Sequence, residues 1–299
     1  LKPQASIHTG MSSATSSGSF FDTFRCTTCC NQNDAVTEAN LPQAEPVASA
    51  LAEDTIVRYV DAGNTSTDKA QDAQDHAAKY VGEWQGTKKH GRGVLTGPNG
   101  QRYEGFFSNG RAHGEGTFVA ANGNKYEGQW NNDRAHGFGR YTHVDGITYE
   151  GQWCSDVKSG HGVEHWEDGS CYEGEFRNGS KHGQGVYKAG SGVNYNGEFR
   201  DDKMEGKGTY TFADGRVYEG QWLQGQMNGI GTMVWPAGSK YEGGYKKDQK
   251  HGEGVFTWPD GRCYRGQWLK GKQHGTAIMI DAKGVEVTGE WKDGEPVEK

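Results

Sequence analysis

The residues best suited to chemistry in this 299-residue chain are histidines and cysteines. His90, His113, His136, His182, His251 and His274 each stand directly before a glycine, and such imidazoles could ligate a metal. Cys26, Cys29 and Cys30 follow Phe20, Phe21 and Phe24. Thiols beside apolar rings could accept acyl chains, and two chains anchor a protein where one does not. Three thiolates with no histidine beside them would leave a zinc ion one ligand short. A Gly-x-Gly also recurs, but a dinucleotide site needs it between a strand and a helix.

Spacing decides whether these groups can act together. The histidines lie at multiples of 23 residues, and so do the tyrosines Tyr80, Tyr103, Tyr126, Tyr149, Tyr172, Tyr195, Tyr218, Tyr241 and Tyr264. The next step lands on Val287, where the pattern continues in part. A fixed period of this size marks a repeat array. With each tyrosine as position 1, position 3 is glycine and position 5 aromatic in all ten units, from Gly82 and Trp84 to Gly289 and Trp291. Positions 1, 3 and 5 share one face of an extended strand, while 2 and 4, such as Glu127 and Gln129, face the other way. Glycines at positions 12 and 14 and an apolar residue at 16 predict a second strand. A glycine there needs a close neighbour to justify it, and an aromatic ring from the adjoining unit fits. Glycine at position 21, usually after Asn, Asp or Ser, predicts a turn.

Each unit therefore reads as strand, loop, strand, turn. The predicted fold class is all-β: an elongated single-layer antiparallel sheet of stacked β-hairpins, adding roughly 10 Å per unit. Histidines about 10 Å apart cannot share one ion. They read as turn residues, and no metal or other cofactor is expected.

Tyr-x-Gly-x-(Trp/Phe) followed by His-Gly-x-Gly resembles the MORN repeat (membrane occupation and recognition nexus). The resemblance runs from Tyr80 to about Gly294, with departures at Ser159 and Asn228 where histidine is usual and at Met204 or Glu205 in the sixth unit. It implies a β scaffold of the kind found at cytoskeletal, ciliary and membrane-junction structures, and sometimes joined to a catalytic domain.

Three segments follow. Residues 1–45 are Ser/Thr-rich and read as a largely disordered tail, residues 46–79 as a weakly helical capping or linker segment, and 80–299 as the array, nine full repeats plus a partial tenth. No Ser/His/Asp or Cys/His pair is held together by the pattern, so the chain reads as a non-enzyme. A net charge of −7 argues against nucleic acid. No run of 18 apolar residues predicts a membrane helix. Cys154, Cys171 and Cys263 are too scattered for a disulfide framework, which fits a reducing, cytoplasmic setting.

Two readings stand. In the first the array binds a protein partner, a helix or peptide or a second copy, at a cytoskeletal, ciliary or membrane-associated structure. The candidate groove aromatics are Tyr126, Trp130, Tyr149, Trp153, Tyr172, Phe176, Tyr218 and Trp222. In the second it is a peripheral tether on anionic phospholipids such as phosphoinositides. Cys26, Cys29 and Cys30 would be acylated, and one basic edge of loop residues at positions 9 and 10 would meet the lipid: Lys88, Lys89, Arg111, Arg134, Lys158, Lys181, Lys203, Lys250 and Lys272. The array is near neutral, with 27 basic against 29 acidic residues over 80–299, which favours the first reading.

Overall fold

The computed structural model describes residues 78–297. Twenty strands, from Lys79–Gln85 to Glu295–Pro296, form one antiparallel sheet in which each pairs with the next along the chain. First strands of seven residues alternate with second strands of nine, as in Lys125–Asn131 and Arg134–Thr142. The predicted all-β, single-layer architecture is what the structure shows. The tail, the capping segment up to residue 77 and the candidate acylation cysteines Cys26, Cys29 and Cys30 lie outside the described residues.

The hairpin turn falls at positions 7 and 8, where both residues have positive φ in every repeat but the first, as at Asn132 (52°) and Asp133 (68°). Such pairs match the twist of the flanking strands. Positions 9 and 10 are thus the start of the second strand and not loop residues, contrary to the sequence expectation.

Within each hairpin the register slips. Trp130 pairs with Ala135 but Gly128 pairs with Gly139, leaving three residues opposite Gln129. Gly137, inside this bulge, sits at φ 71°, which explains the invariant glycine at position 12. The bulge strands a backbone N–H, and the position 4 side chain collects it. Phe138 N donates to Gln129 Oε1 at 3.0 Å, and the bond recurs from His161 to Gln152, Gln184 to Glu175, Lys207 to Glu198 and Ile230 to Gln221.

Adjacent hairpins are joined again at their tips. The aspartate at position 8 of one unit accepts from the backbone N–H at position 10 of the unit before it, as from Ala112 to Asp133, Ala135 to Asp156 and Met227 to Asp248. Each such bond contributes about 1 kcal/mol.

Candidate functional site

The ring-bearing face is built by positions 1 and 5. Each tyrosine meets the aromatic ring of its own repeat and that of the next, edge to face. Tyr126 touches Trp130 at 5.0 Å and Trp153 at 5.3 Å, and Tyr149 touches Trp153 and Phe176, both at 5.0 Å. The series runs without a break from Trp84 through Tyr80 and Phe107 to Tyr264 and Trp291. Each contact contributes about 0.5–1.5 kcal/mol beyond burial.

Every position 1 tyrosine hydroxyl donates to the carbonyl at position 4 of its own unit, as Tyr149 does to Gln152 at 2.9 Å. The ring lies over its own hairpin's glycines: a Cβ on Gly162 would meet the Tyr149 hydroxyl at 2.5 Å. The expected ring-over-neighbour-glycine contact is therefore made within one unit. The link between units is made by position 5, where the Trp153 indole N–H donates to Gly139 O of the preceding unit at 3.0 Å.

This packing buries the predicted groove aromatics. Tyr126, Trp130, Tyr149, Trp153, Tyr172, Phe176, Tyr218 and Trp222 are all less than a tenth exposed. They hold the repeats together and do not offer an open groove wall. Burial pushes the tyrosine hydroxyls upward, that of Tyr218 to about 12.

The predicted basic edge divides in two, because neighbours on a strand face opposite ways. Lys88, Arg111, Arg134 and Lys272, at position 9, are exposed, and Lys203 is half-exposed. They lie on the side away from the rings, together with the exposed position 2 glutamates Glu104, Glu127, Glu150, Glu173, Glu219 and Glu242. Lys89, Lys158, Lys181 and Lys250, at position 10, turn toward the rings.

The MORN repeat profile matches nine consecutive segments: 80–102, 103–125, 126–148, 149–171, 172–193, 195–215, 218–240, 241–261 and 264–285. The chain belongs to the MORN-repeat family. No curated protein matches it. Among solved structures it is similar to the TCP10 domain of Danio rerio CPAP in complex with a peptide of STIL (TM-score 0.38, 11% identity, 70% of this chain and 97% of that one). It is also similar to the SAS-4 TCP domain of Drosophila melanogaster in complex with a proline-rich motif of Ana2 (TM-score 0.31, 9% identity, 69% and 98%).

The inward lysines of the MORN array have different surroundings. Lys158 is buried, forms an ion pair with buried Glu164 and lies 5.0 Å from the Tyr149 ring. Desolvation lowers its pKa even so, and Glu164 only partly offsets that. Lys181 lies 4.9 Å from the Trp166 ring and 3.7 Å from Asp202. Lys250 is enclosed by four rings: Phe256 at 4.4 Å, Trp268 at 4.6 Å, Trp235 at 5.0 Å and Tyr241 at 5.1 Å. Desolvation brings its pKa down to about 8.

A second row of rings, not anticipated from the sequence, stands beside the first. Trp166, Phe212, Trp235 and Trp258 occupy position 18 in the fourth, sixth, seventh and eighth repeats, where the others carry Gly97, Ala120, His143, Ala189 or Asp281. They pack on position 16 rings: Trp258 meets Phe256 edge-on at 4.8 Å, and Trp235 lies tilted against Phe256 at 5.6 Å. All remain half-exposed. Their signal in the sequence is an aromatic at a fixed position in only some repeats, which a repeat consensus averages away.

The histidines remain apart. Among the described residues no three His, Cys, Asp or Glu side chains converge as a metal would require. Nδ1 of His90 and of His274 is buried without a hydrogen-bond partner. Cys154, Cys171 and Cys263 carry thiols, and no disulfide joins them. Among the described residues no helix is long and apolar enough to cross a membrane.

Proposed function

We propose that this MORN array is a non-catalytic scaffold that holds protein partners along its ring-bearing face. The observation that carries this reading is the second row. Trp166, Phe212, Trp235 and Trp258 keep apolar surface open on a face where no described element covers them. A half-exposed aromatic row suits a partner segment, since buried rings contribute most of the energy of protein interfaces.

A photo-cross-linking amino acid at Trp258 of the full chain, compared with one at Glu219 on the opposite face, tests this in cells. Protein adducts should form mainly from position 258. Equal yields from the two faces, or none from 258, would remove the reading.

A peripheral tether is the second reading, supported by the exposed position 9 row. That row holds five basic residues instead of nine, at about 1 kcal/mol per charge near anionic lipid. The six position 2 glutamates on the same side oppose it. Salt-sensitive binding to phosphoinositide vesicles, lost when the row is neutralised, would favour the tether over the scaffold.

A further inference from the structure

The repeats can be compared with one another, and the comparison shows what an inward lysine needs. In the fourth repeat Lys158 at position 10 faces Glu164 at position 16, and the two pair. In the eighth repeat the same two positions hold Lys250 and Phe256. The carboxylate has been replaced by a ring, 4.4 Å from the ammonium. Among the described residues no carboxylate forms an ion pair with Lys250, whereas Lys181 has Asp202.

Rings attract a cation through their faces but bring no negative charge to its three N–H donors. Lys250 is thus held in place by four rings and left without an anion. It is not sealed off: the residue is half-buried, as are the adjacent Trp235 and Phe256 and the Trp258 that packs on Phe256. The lowered pKa agrees with a desolvated ammonium that has no counter-charge.

We infer that the site formed by Lys250 with Trp235 and Phe256, flanked by Trp258 on Phe256, receives an aspartate or glutamate side chain carried on an apolar segment of a protein partner. The incoming carboxylate takes the place that Glu164 fills for Lys158, and apolar neighbours cover the open rings. Charge-assisted hydrogen bonds in a partly desolvated recess are stronger than those in open water. This inference rests on the scaffold reading and names the chemistry of the partner.

The test uses the full chain and a random peptide library displayed on phage. Selected peptides should combine an acidic residue with Leu, Ile, Phe or Trp. By fluorescence anisotropy, Lys250→Gln should weaken a selected peptide at least tenfold. Replacing the peptide's acid by alanine should weaken binding to the parent protein tenfold but leave binding to Lys250→Gln unchanged. Phe256→Glu, which restores the pairing of the fourth repeat, should weaken the peptide in the same way while circular dichroism confirms the sheet. Peptides that bind with no dependence on Lys250 overturn the inference and leave the scaffold standing. A library that yields no binder removes both. Phosphatidylserine vesicles that bind through Lys250 while peptides do not would replace a protein partner with a lipid surface, and so overturn it as well.

Discussion

Gly151→Ala offers the sharpest test of how the array is held. A Cβ at this position would lie 2.5 Å from Gly162 Cα, with the Tyr149 hydroxyl and His161 O at 2.7 Å. Two of these three obstacles are backbone, so the strands must part or the ring must leave. Overpacking of this kind costs about 1–3 kcal/mol. Displacing Tyr149 adds about 0.5–1.5 kcal/mol for its bond to Gln152 and a similar amount for each lost edge contact with Trp153 or Phe176. If all of these are lost the sum is about 2.5–7.5 kcal/mol, or on the order of 10 °C in melting temperature for an array of this size. Gly151 lies in the fourth of nine repeats, and stability in such arrays is a chain of nearest-neighbour terms. The transition should therefore broaden as well as shift, with a smaller denaturant slope. The control is Gly146→Ala, in a turn at φ 84° with nothing within 4 Å of the new Cβ, where only left-handed strain of about 1–2 kcal/mol is expected. Thermal and urea unfolding followed by tryptophan fluorescence would compare the two. If Gly151→Ala unfolds together with Gly146→Ala, the ring-on-glycine account of the array is wrong.

Two further outcomes follow from the interior. Glu164→Gln should cost about 3–5 kcal/mol by leaving Lys158 buried without its partner, and Glu164→Leu combined with Lys158→Met should recover most of it. Urea midpoints of the single and double variants check this. Raising pH should act in two opposed steps. Lys250 is held below its ordinary 10.5, so the unfolded chain binds the extra proton between about pH 8 and 10.5, and stability gains slightly as pH rises there. The buried tyrosines are held above their ordinary 10, so the folded chain keeps protons that the unfolded chain loses. Their contribution is whole below pH 10 and is lost as pH climbs through the folded values, about 12 for Tyr218. Urea midpoints from pH 7 to 12 should rise slightly and then fall, with tyrosinate absorbance appearing together with unfolding. Early, unfolding-independent ionisation of most tyrosines would contradict their burial.

Much of this molecule is written in its repeat. The 23-residue period, the alternation through positions 1 to 5 and the glycines at 12, 14 and 21 specify hairpins and their order, because side-chain direction in a strand depends only on parity. Family, strand number and the face of Tyr126 or Trp153 all follow from local pattern. What the sequence could not reveal depends on register between strands. The turn at Asn132–Asp133 and the bulge opposite Gln129 start the second strand at position 9. Arg134 and its counterparts at that position therefore part company with the lysines at position 10, and one expected basic edge became an exposed row and an inward set.

The same packing buried Tyr149 and Trp153 as the fastening between repeats, and left Trp235 and Phe256 open beside Lys250, with Trp258 on Phe256. Parity along one strand cannot say which rings are covered. The cover comes from groups 14 to 27 residues away, Gly139 O on Trp153 and Trp153 on Tyr126, that only the paired sheet brings together.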